Sequence, residues 1–105
     1  MRMWDVDPNK LCRKHLLGEH VEMHMFAGTI RKGISIAGYI KNGLVNPFMI
    51  TIRHDQLAEE MKKRGYNHQS DLDFSSYGLE LIPIDIEANG KELTRRCPEC
   101  KNNGI

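Results

Sequence analysis

The sequence predicts a mostly α fold, a compact helical domain in which one long N-terminal helix is central. Residues 11–26 carry apolar side chains at helical spacing, and residues 52–64 show the same pattern. Strand-like alternation is confined to residues 79–86. The 105 residues, 40% of them apolar, are enough for one hydrophobic core and too few for two. We therefore expect a single domain over residues 1–105, with an extended C-terminal strap laid across the helices.

The segment 11–26 is the predicted central helix. Asp7 and Pro8 would start it, because a carboxylate caps free N–H groups and proline is tolerated at the first helical position. Gly28 would end it. Apolar side chains occupy most of its faces, so we expect the helix to be largely buried. The few residues before Asp7 should keep the amino terminus close to the body of the protein.

One stripe of this helix carries ionisable side chains. His15, Glu19 and Glu22 are separated by steps of four and three residues, which places them on the same face. Burying two carboxylates without partners is costly, so they need either a task or a satisfied network. From the residues alone, both a catalytic group and a buried structural network remain open.

The second half of the chain is less regular. Residues 29–47 are rich in glycine and predict a short helix or a turn-rich connection, and residues 48–52 predict a buried strand or the start of the next helix. Residues 52–64 should form the second helix, with basic residues in its last turn and Gly65 after its end. Pro83 restricts the following alternating segment to an edge strand or an extended strap.

Charge is unevenly distributed along the chain. Residues 1–70 hold eleven Lys or Arg against seven Asp or Glu, and residues 71–105 hold four against seven. The N-terminal part can therefore face a polyanion, although an ordinary mixed-charge surface explains it equally well. No signal-peptide pattern or membrane-spanning run appears, and three cysteines do not suggest a disulfide framework. We expect an intracellular, cytoplasmic protein with free thiols.

Cys97 and Cys100 have the C-x2-C spacing of one half of a tetrahedral zinc site. Two pairs on the first helix could complete it: Cys12 with His15, or His20 with His24. If zinc bound His15, it would compete with a catalytic role for that residue. Since two ligands rest on helix spacing alone, the sequence slightly favours two free thiols on a mobile tail.

Two stretches resemble one known family. HLLGEHVE at residues 15–22 is similar to the HLMAEYRE-type stretch, and AEEMKKRGYN at residues 58–67 is similar to the AECLKRGFN-type helix end, of the pyrimidine-dimer DNA glycosylases of the phage endonuclease V family. The resemblance covers roughly residues 1–72 and leaves residues 73–105 as a divergent tail. It implies a DNA repair enzyme of phage or bacterial host cells.

The resemblance implies a mechanism and its residues. The amine of Met1 would attack C1′ of the damaged nucleotide and form an imine, and Glu22 would support glycosylic bond cleavage and β-elimination, with His15 as a catalytic neighbour. Arg2 matches the family's arginine beside the nucleophilic residue. The expected partner is double-stranded DNA with a damaged or abasic site, bound by a monomer without a membrane. Catalysis would require no cofactor, and zinc would be structural.

A basic rim is the predicted contact with DNA phosphates. Its members are Arg2, Arg13, Lys14, Arg31, Lys32, Lys63 and Arg64. Val21 and Met25 stand where the family carries arginines, and the family's basic, aromatic C-terminal segment is missing. A different lesion, or cutting at abasic sites alone, is therefore an open expectation. The competing function is a non-enzymatic nucleic-acid-binding or zinc-stabilised accessory protein.

Overall fold

The predicted mostly α fold is confirmed by the computed structural model, which describes residues 1–68 and 70–105. The described part contains no β-strand. Its α-helices, in chain order, are α1 (Arg13–Arg31), α2 (Ala37–Lys41), α3 (Ile50–Lys63), α4 (Ile86–Arg96) and α5 (Pro98–Asn102). Short 3-10 turns at Pro8–Lys10 and Pro47–Met49 precede α1 and α3. Among these helices none is long and apolar enough to cross a membrane.

Both ends of α1 differ from the sequence prediction. The Asp7 carboxylate caps only the 3-10 turn, accepting from the Asn9 N–H, and the chain is extended at Leu11 before α1 begins. The N-cap of α1 is Cys12, whose sulfur accepts from the His15 N–H. The helix continues through Gly28, since one glycine costs a helix only about 1 kcal/mol and packing offsets it. It ends before Gly33, which has a positive φ of 72°.

The core forms mainly where α1 packs against α3. α3 begins two residues earlier than predicted and is followed by Gly65 in the left-handed conformation, with φ of 79°. The apolar side chains on the facing sides of the two helices are fully or almost fully buried: Leu16, Met23 and Phe26 on α1, and Ile50, Leu57 and Met61 on α3. Burial of each such side chain stabilises the fold by about 1.5–3 kcal/mol.

The tail is only partly the strap that the sequence predicts. Residues 80–85 form no helix or strand, and the Phe48 N–H donates to the Glu80 carbonyl at 3.0 Å. Beyond them lie α4 and α5, which sequence reasoning missed. Asp85 caps α4 through the Ala88 N–H at 2.9 Å. Leu93 and Cys100 are fully buried, so the tail is part of the core and not a mobile end.

Candidate active site and the two metal-ligand clusters

The amino terminus lies over the middle of α1. The Met1 nitrogen is 3.9 Å from Oε1 of Glu22, and the two side chains are 12% and 29% exposed. Burial raises the pKa of the Glu22 carboxyl, while the terminal amine and the Arg2 backbone amide act in the opposite direction. The structure thus brings together an amine and a half-buried carboxylate, both of which the sequence predicts as catalytic.

Glu19 has a structural role beside this pair. Its carboxylate receives both Nε and Nη2 of the buried Arg53, at 2.6 and 2.9 Å. The same carboxylate accepts the N–H of Trp4 at 3.1 Å, and Arg53 donates to the Val6 carbonyl at 2.8 Å. Glu19, the middle residue of the predicted stripe, therefore belongs to a satisfied buried network. This network holds the segment that carries the amine.

A second contact to the N-terminal segment comes from the tail. Asn89 on α4 donates to the Trp4 carbonyl at 2.8 Å and accepts from Nη2 of Arg2 at 2.8 Å. The Arg2 guanidinium lies over the Trp4 ring at 3.9 Å from its centroid. Its Nε is buried without a hydrogen-bond partner within the described residues. Asn89 therefore fixes the position of a cation next to the amine and Glu22.

An open groove of about 600 Å³ adjoins Glu22. Three cationic side chains line it, namely those of Arg2, Lys14 and Arg96. Its volume lies within the range of about 300–1,000 Å³ that is usual for ligand pockets. Arg96 was missed by sequence reasoning, because it comes from the last turn of α4 and no motif connects it to α1. Val21, at the rim, is 55% exposed.

The other predicted DNA contacts are not gathered around this groove. Arg31 and Lys32 are exposed at the far end of α1, about 14 Å or more along the helix axis from Glu22 at 1.5 Å per residue. Arg13 and Lys63 are exposed beside a separate depression that Arg64 also lines.

Arg64 itself is engaged within the protein. Its Nε pairs with Glu60 at 2.8 Å, and its Nη2 donates to the Leu11 carbonyl at 2.7 Å. Further bonds reach the carbonyls of Pro8 and Asn9. Arg64 therefore holds the turn before α1, and its contact with DNA remains a prediction.

Four ligand atoms of the predicted metal type come together at the start of α1. Cys12 and His15 lie at its first turn, and Cys97 and Cys100 lie at the start of α5. All four ligand atoms are within 4.8 Å of one another. The sulfurs of Cys12 and Cys97 are 3.8 Å apart. Nδ1 of His15 lies 3.1 Å from the Cys12 sulfur and 3.6 Å from the Cys100 sulfur.

These distances fit a tetrahedral metal site. Zinc bonds of about 2.3 Å to sulfur and 2.0–2.1 Å to nitrogen place neighbouring ligand atoms roughly 3.4–3.8 Å apart, so the 3.1 Å pair would have to open slightly. Burial raises the pKa of the Cys100 thiol to about 12. A bound cation would act in the opposite direction, because it favours the thiolate. His15 thus lies in a Cys3His cluster, where its predicted catalytic role and a ligand role compete. Burial also lowers the pKa of His15.

The alternative pair, His20 with His24, does not join the cysteines. His20 instead lies in a second cluster with His54 of α3 and His68, whose ligand atoms are also within 4.8 Å of one another. Burial, followed by the three neighbouring imidazoles, lowers the pKa of His20 to about 4, which leaves the ring neutral at pH 7. Sequence reasoning missed this cluster because its members come from three separate parts of the chain.

Comparison with known protein families places the geometry in context. The model of one family, described as pyrimidine dimer DNA glycosylase, matches residues 1–74. The chain belongs to the pyrimidine dimer DNA glycosylase family. The matched region of this glycosylase family member contains α1, α2 and α3 and ends before α4. No curated protein and no solved structure gave a significant match to the chain.

Membership in the family implies pyrimidine dimer DNA glycosylase activity in general, and hence a DNA substrate. The tail, from which Asn89, Arg96 and two cysteines reach the site, lies outside the matched residues.

Proposed function

We propose that this protein is a DNA glycosylase with lyase activity at abasic sites (AP lyase), which cleaves DNA at damaged pyrimidines or abasic sites through an imine on the Met1 amine. The observation that carries the proposal is the 3.9 Å separation between that amine and the Glu22 carboxylate in a member of a glycosylase family. The resemblance implies these two groups, and their closeness in the structure supports the proposal.

The proposed chemistry needs little else from the protein. An α-amino group is neutral in an appreciable fraction near neutral pH, so it can attack C1′ without the desolvation that a lysine requires. The C1′–N bond to the base breaks, and the departing base takes up a proton. The attacking nitrogen then loses one of its protons, the C1′–O4′ bond of the sugar ring breaks, and O4′ takes up a proton. The product is a protonated imine, which the Glu22 carboxylate stabilises by charge.

Strand cleavage follows from the same intermediate. A base removes a proton from C2′, the electrons shift toward the imine nitrogen, and the bond from C3′ to its phosphate oxygen breaks. Water then hydrolyses the imine and releases the amine. Glu22 is the carboxylate beside the amine that can move this proton.

The groove beside Glu22 supplies the contacts for a distorted DNA strand. Arg2, Lys14 and Arg96 present positive charge along it, which suits the phosphates that flank a lesion. A sugar carbon within a stacked duplex is inaccessible, so the nucleotide must be displaced toward the amine.

Zinc at the Cys3His cluster is the second part of the proposal. Four protein ligands complete a tetrahedral shell and leave no open position, which is the pattern of a structural site. The metal would connect the tail to the first turn of α1. His15 would then be a ligand that stabilises the site from outside the reaction, with its ring 6.1 Å from that of Trp4.

Borohydride trapping tests the mechanism. Intact mass and N-terminal sequencing should first establish that the purified protein begins with an unblocked Met1. Reduction with duplex DNA containing one abasic site should then give a covalent adduct that peptide mapping places on Met1. The variant Lys10→Gln should trap equally well. An adduct on Lys10 or Lys14 would exclude the terminal-amine mechanism.

Comparing three duplexes addresses the substrate. Matched strands would contain a cyclobutane pyrimidine dimer, an abasic site or no damage. Cleavage of the first two supports a glycosylase with lyase activity, whereas cleavage of the abasic strand alone limits the enzyme to the lyase step. If neither strand is cut, the accessory-protein function replaces the enzymatic one.

A further inference from the structure

A group of histidines lies between α1, α3 and the segment after α3. The ring centroids of His20 and His54 are 4.6 Å apart, and those of His20 and His68 are 4.9 Å apart. All three side chains are almost fully buried: the residues His20 and His54 are 5% and 2% exposed, and the His68 side chain is 2% exposed. Neither the family resemblance nor the proposed chemistry uses these residues.

Carboxylates lie near two of the imidazoles. Nδ1 of His54 lies 2.9 Å from the Asp55 carboxylate, and Nδ1 of His68 lies 3.9 Å from that of Asp71. An ionised carboxylate only accepts hydrogen bonds, so Nδ1 of His54 donates to Asp55 and leaves a lone pair on Nε2 of the neutral ring, whereas the His68 contact is too long for a hydrogen bond. A histidine held by a carboxylate through one nitrogen is the usual outer arrangement of metal-ligating imidazoles.

One of the facing Nε2 atoms of His20 and His68 can donate to the other, whereas Nε2 of His54 faces an acceptor. Nε2 of His68 lies 3.0 Å from Nε2 of His20. Nε2 of His54 lies 3.1 Å from the Ser70 carbonyl oxygen, which is also an acceptor and already faces Nε2 of His24 at 2.9 Å. Acceptor groups at such distances repel one another unless a cation lies between them. Either an extra proton on an imidazole or a metal ion resolves the conflict.

We propose that His20, His54 and His68 bind a divalent transition-metal ion through their Nε2 atoms. Imidazole nitrogen suits zinc, copper, iron, cobalt and nickel better than it suits magnesium or calcium. An N–N separation of 3.0 Å corresponds to ligand bonds of about 2.1 Å at roughly a right angle, whereas a tetrahedral zinc ion would need about 3.3 Å. Three protein ligands leave coordination positions for water or the nearby carbonyl.

This site differs in chemistry from the Cys3His cluster, which allows the two to be measured separately. Cobalt bound by thiolates gives intense sulfur-to-metal charge-transfer absorption in the near ultraviolet, and cobalt bound by imidazole and oxygen does not. Protein whose thiolate cluster has first been filled with one equivalent of zinc should therefore bind a further equivalent of Co²⁺ with weak visible bands alone. Isothermal titration with Co²⁺ and with Ni²⁺ gives the stoichiometry and affinity.

Two variants make the test specific. His68→Ala should lower the affinity for the second ion by at least about 100-fold, since loss of even an outer-shell partner costs 10–100-fold. His24→Ala is the matched control, because its ring packs against His20 and His54 but faces the Ser70 carbonyl with its Nε2. It should retain the second ion. Equal Co²⁺ binding by wild type and His68→Ala would overturn the proposal.

A measurement on the wild-type protein covers the case in which His68→Ala does not fold. In the NMR spectrum of the zinc- and cobalt-loaded protein, a paramagnetic ion on three imidazoles should shift the Nδ1–H signals of three histidines far outside the normal range. Absence of such signals at saturating Co²⁺ would show that the cluster holds protons and no metal.

Discussion

The family-matched region and the tail contribute different parts of the candidate site. Residues 1–74 contain the amine, Glu22 and the Glu19–Arg53 pair, so they supply the proposed reacting groups and their main support. The tail supplies Asn89 to Arg2, Arg96 to the groove and two sulfurs to the metal cluster. The proposed reacting groups therefore lie within the family-matched residues, while part of their surroundings lies outside them.

Removing a metal ion from the Cys3His cluster should give the largest loss of stability, because the ion would connect the tail to the family-matched region. A chelator should lower the melting temperature by at least about 10 °C, since each kcal/mol shifts it by 4–8 °C in a domain of this size. The double variant Cys97→Ser and Cys100→Ser should show the same loss, with no further change on chelation. One zinc per chain by elemental analysis is also expected. Unchanged melting in both experiments would leave the cysteines as free thiols.

Loss of the Glu19–Arg53 ion pair inside the family-matched region should have the next largest effect on stability. Glu19→Gln leaves the buried Arg53 cation without its ion-pair partner, which should cost about 3–5 kcal/mol of unfolding free energy in urea. Glu59→Gln, on the exposed side of α3, is the control and should change stability by less than about 0.5 kcal/mol. A small effect at Glu19 would mean that the pair does not hold the N-terminal segment.

Glu22→Gln addresses the reacting groups directly. The fold and DNA affinity should persist, while single-turnover cleavage of abasic DNA should fall by at least about 100-fold, the scale of losing a positioned group that stabilises charge. Glu80→Gln on the strap should cleave at the wild-type rate. Wild-type rates in Glu22→Gln would make this carboxylate structural and remove the chemistry from the family region.

The regularity of each region explains how much of it could be predicted. α1 and α3 have apolar side chains at helical spacing, so a local pattern identified both, although Cys12 as the N-cap was not foreseen. α4 buries only Asn89 and Leu93 and carries few large apolar side chains, so the pattern that identified α1 and α3 is sparse there. A polar segment of that kind is read as a loop.

The candidate site shows the same division. Met1 and Glu22 were predicted because the family resemblance aligns them with catalytic positions. The pairing of Glu19 with Arg53 spans 34 residues and that of Arg2 with Asn89 spans 87, so no local pattern contains either one. The sequence slightly favoured free thiols at Cys97 and Cys100 and offered two pairs that could complete a metal site, of which the structure places Cys12 and His15 beside them.

Asn89→Ala tests how much the tail contributes to holding the N-terminal segment. The Trp4 carbonyl and the Arg2 guanidinium would each lose a buried partner, which should cost about 1–3 kcal/mol. Urea unfolding measures the loss. Lys91→Ala, two residues along α4 with an exposed side chain, should cost less than about 0.5 kcal/mol, the worth of its i,i+4 pair with Glu87. Equal losses in the two variants would contradict the role of Asn89.

Neutralising Arg96 should have the smallest effect. Arg96→Gln should weaken binding to abasic duplex DNA a few-fold and reduce the salt dependence by about one counterion, as expected for one phosphate contact. Arg95→Gln is a close control, since both arginines pair with Glu92 but only Arg96 lines the groove. An identical salt slope in the two variants would place the DNA away from α4.

The bond between Arg2 and Asn89 also has a consequence for the timing of biosynthesis. Its partners are separated by 87 residues, and a ribosome makes the chain from Arg2 toward Asn89. The N-terminal segment therefore emerges first but gains this restraint only after α4 has left the exit tunnel. Contacts of such separation form late, because the intervening chain must be ordered first. A stalled nascent chain lacking α4 should keep the Glu19–Arg53 support of the amine-bearing segment but leave the Arg2 guanidinium without Asn89, so the cation beside the amine is positioned only when translation is nearly complete.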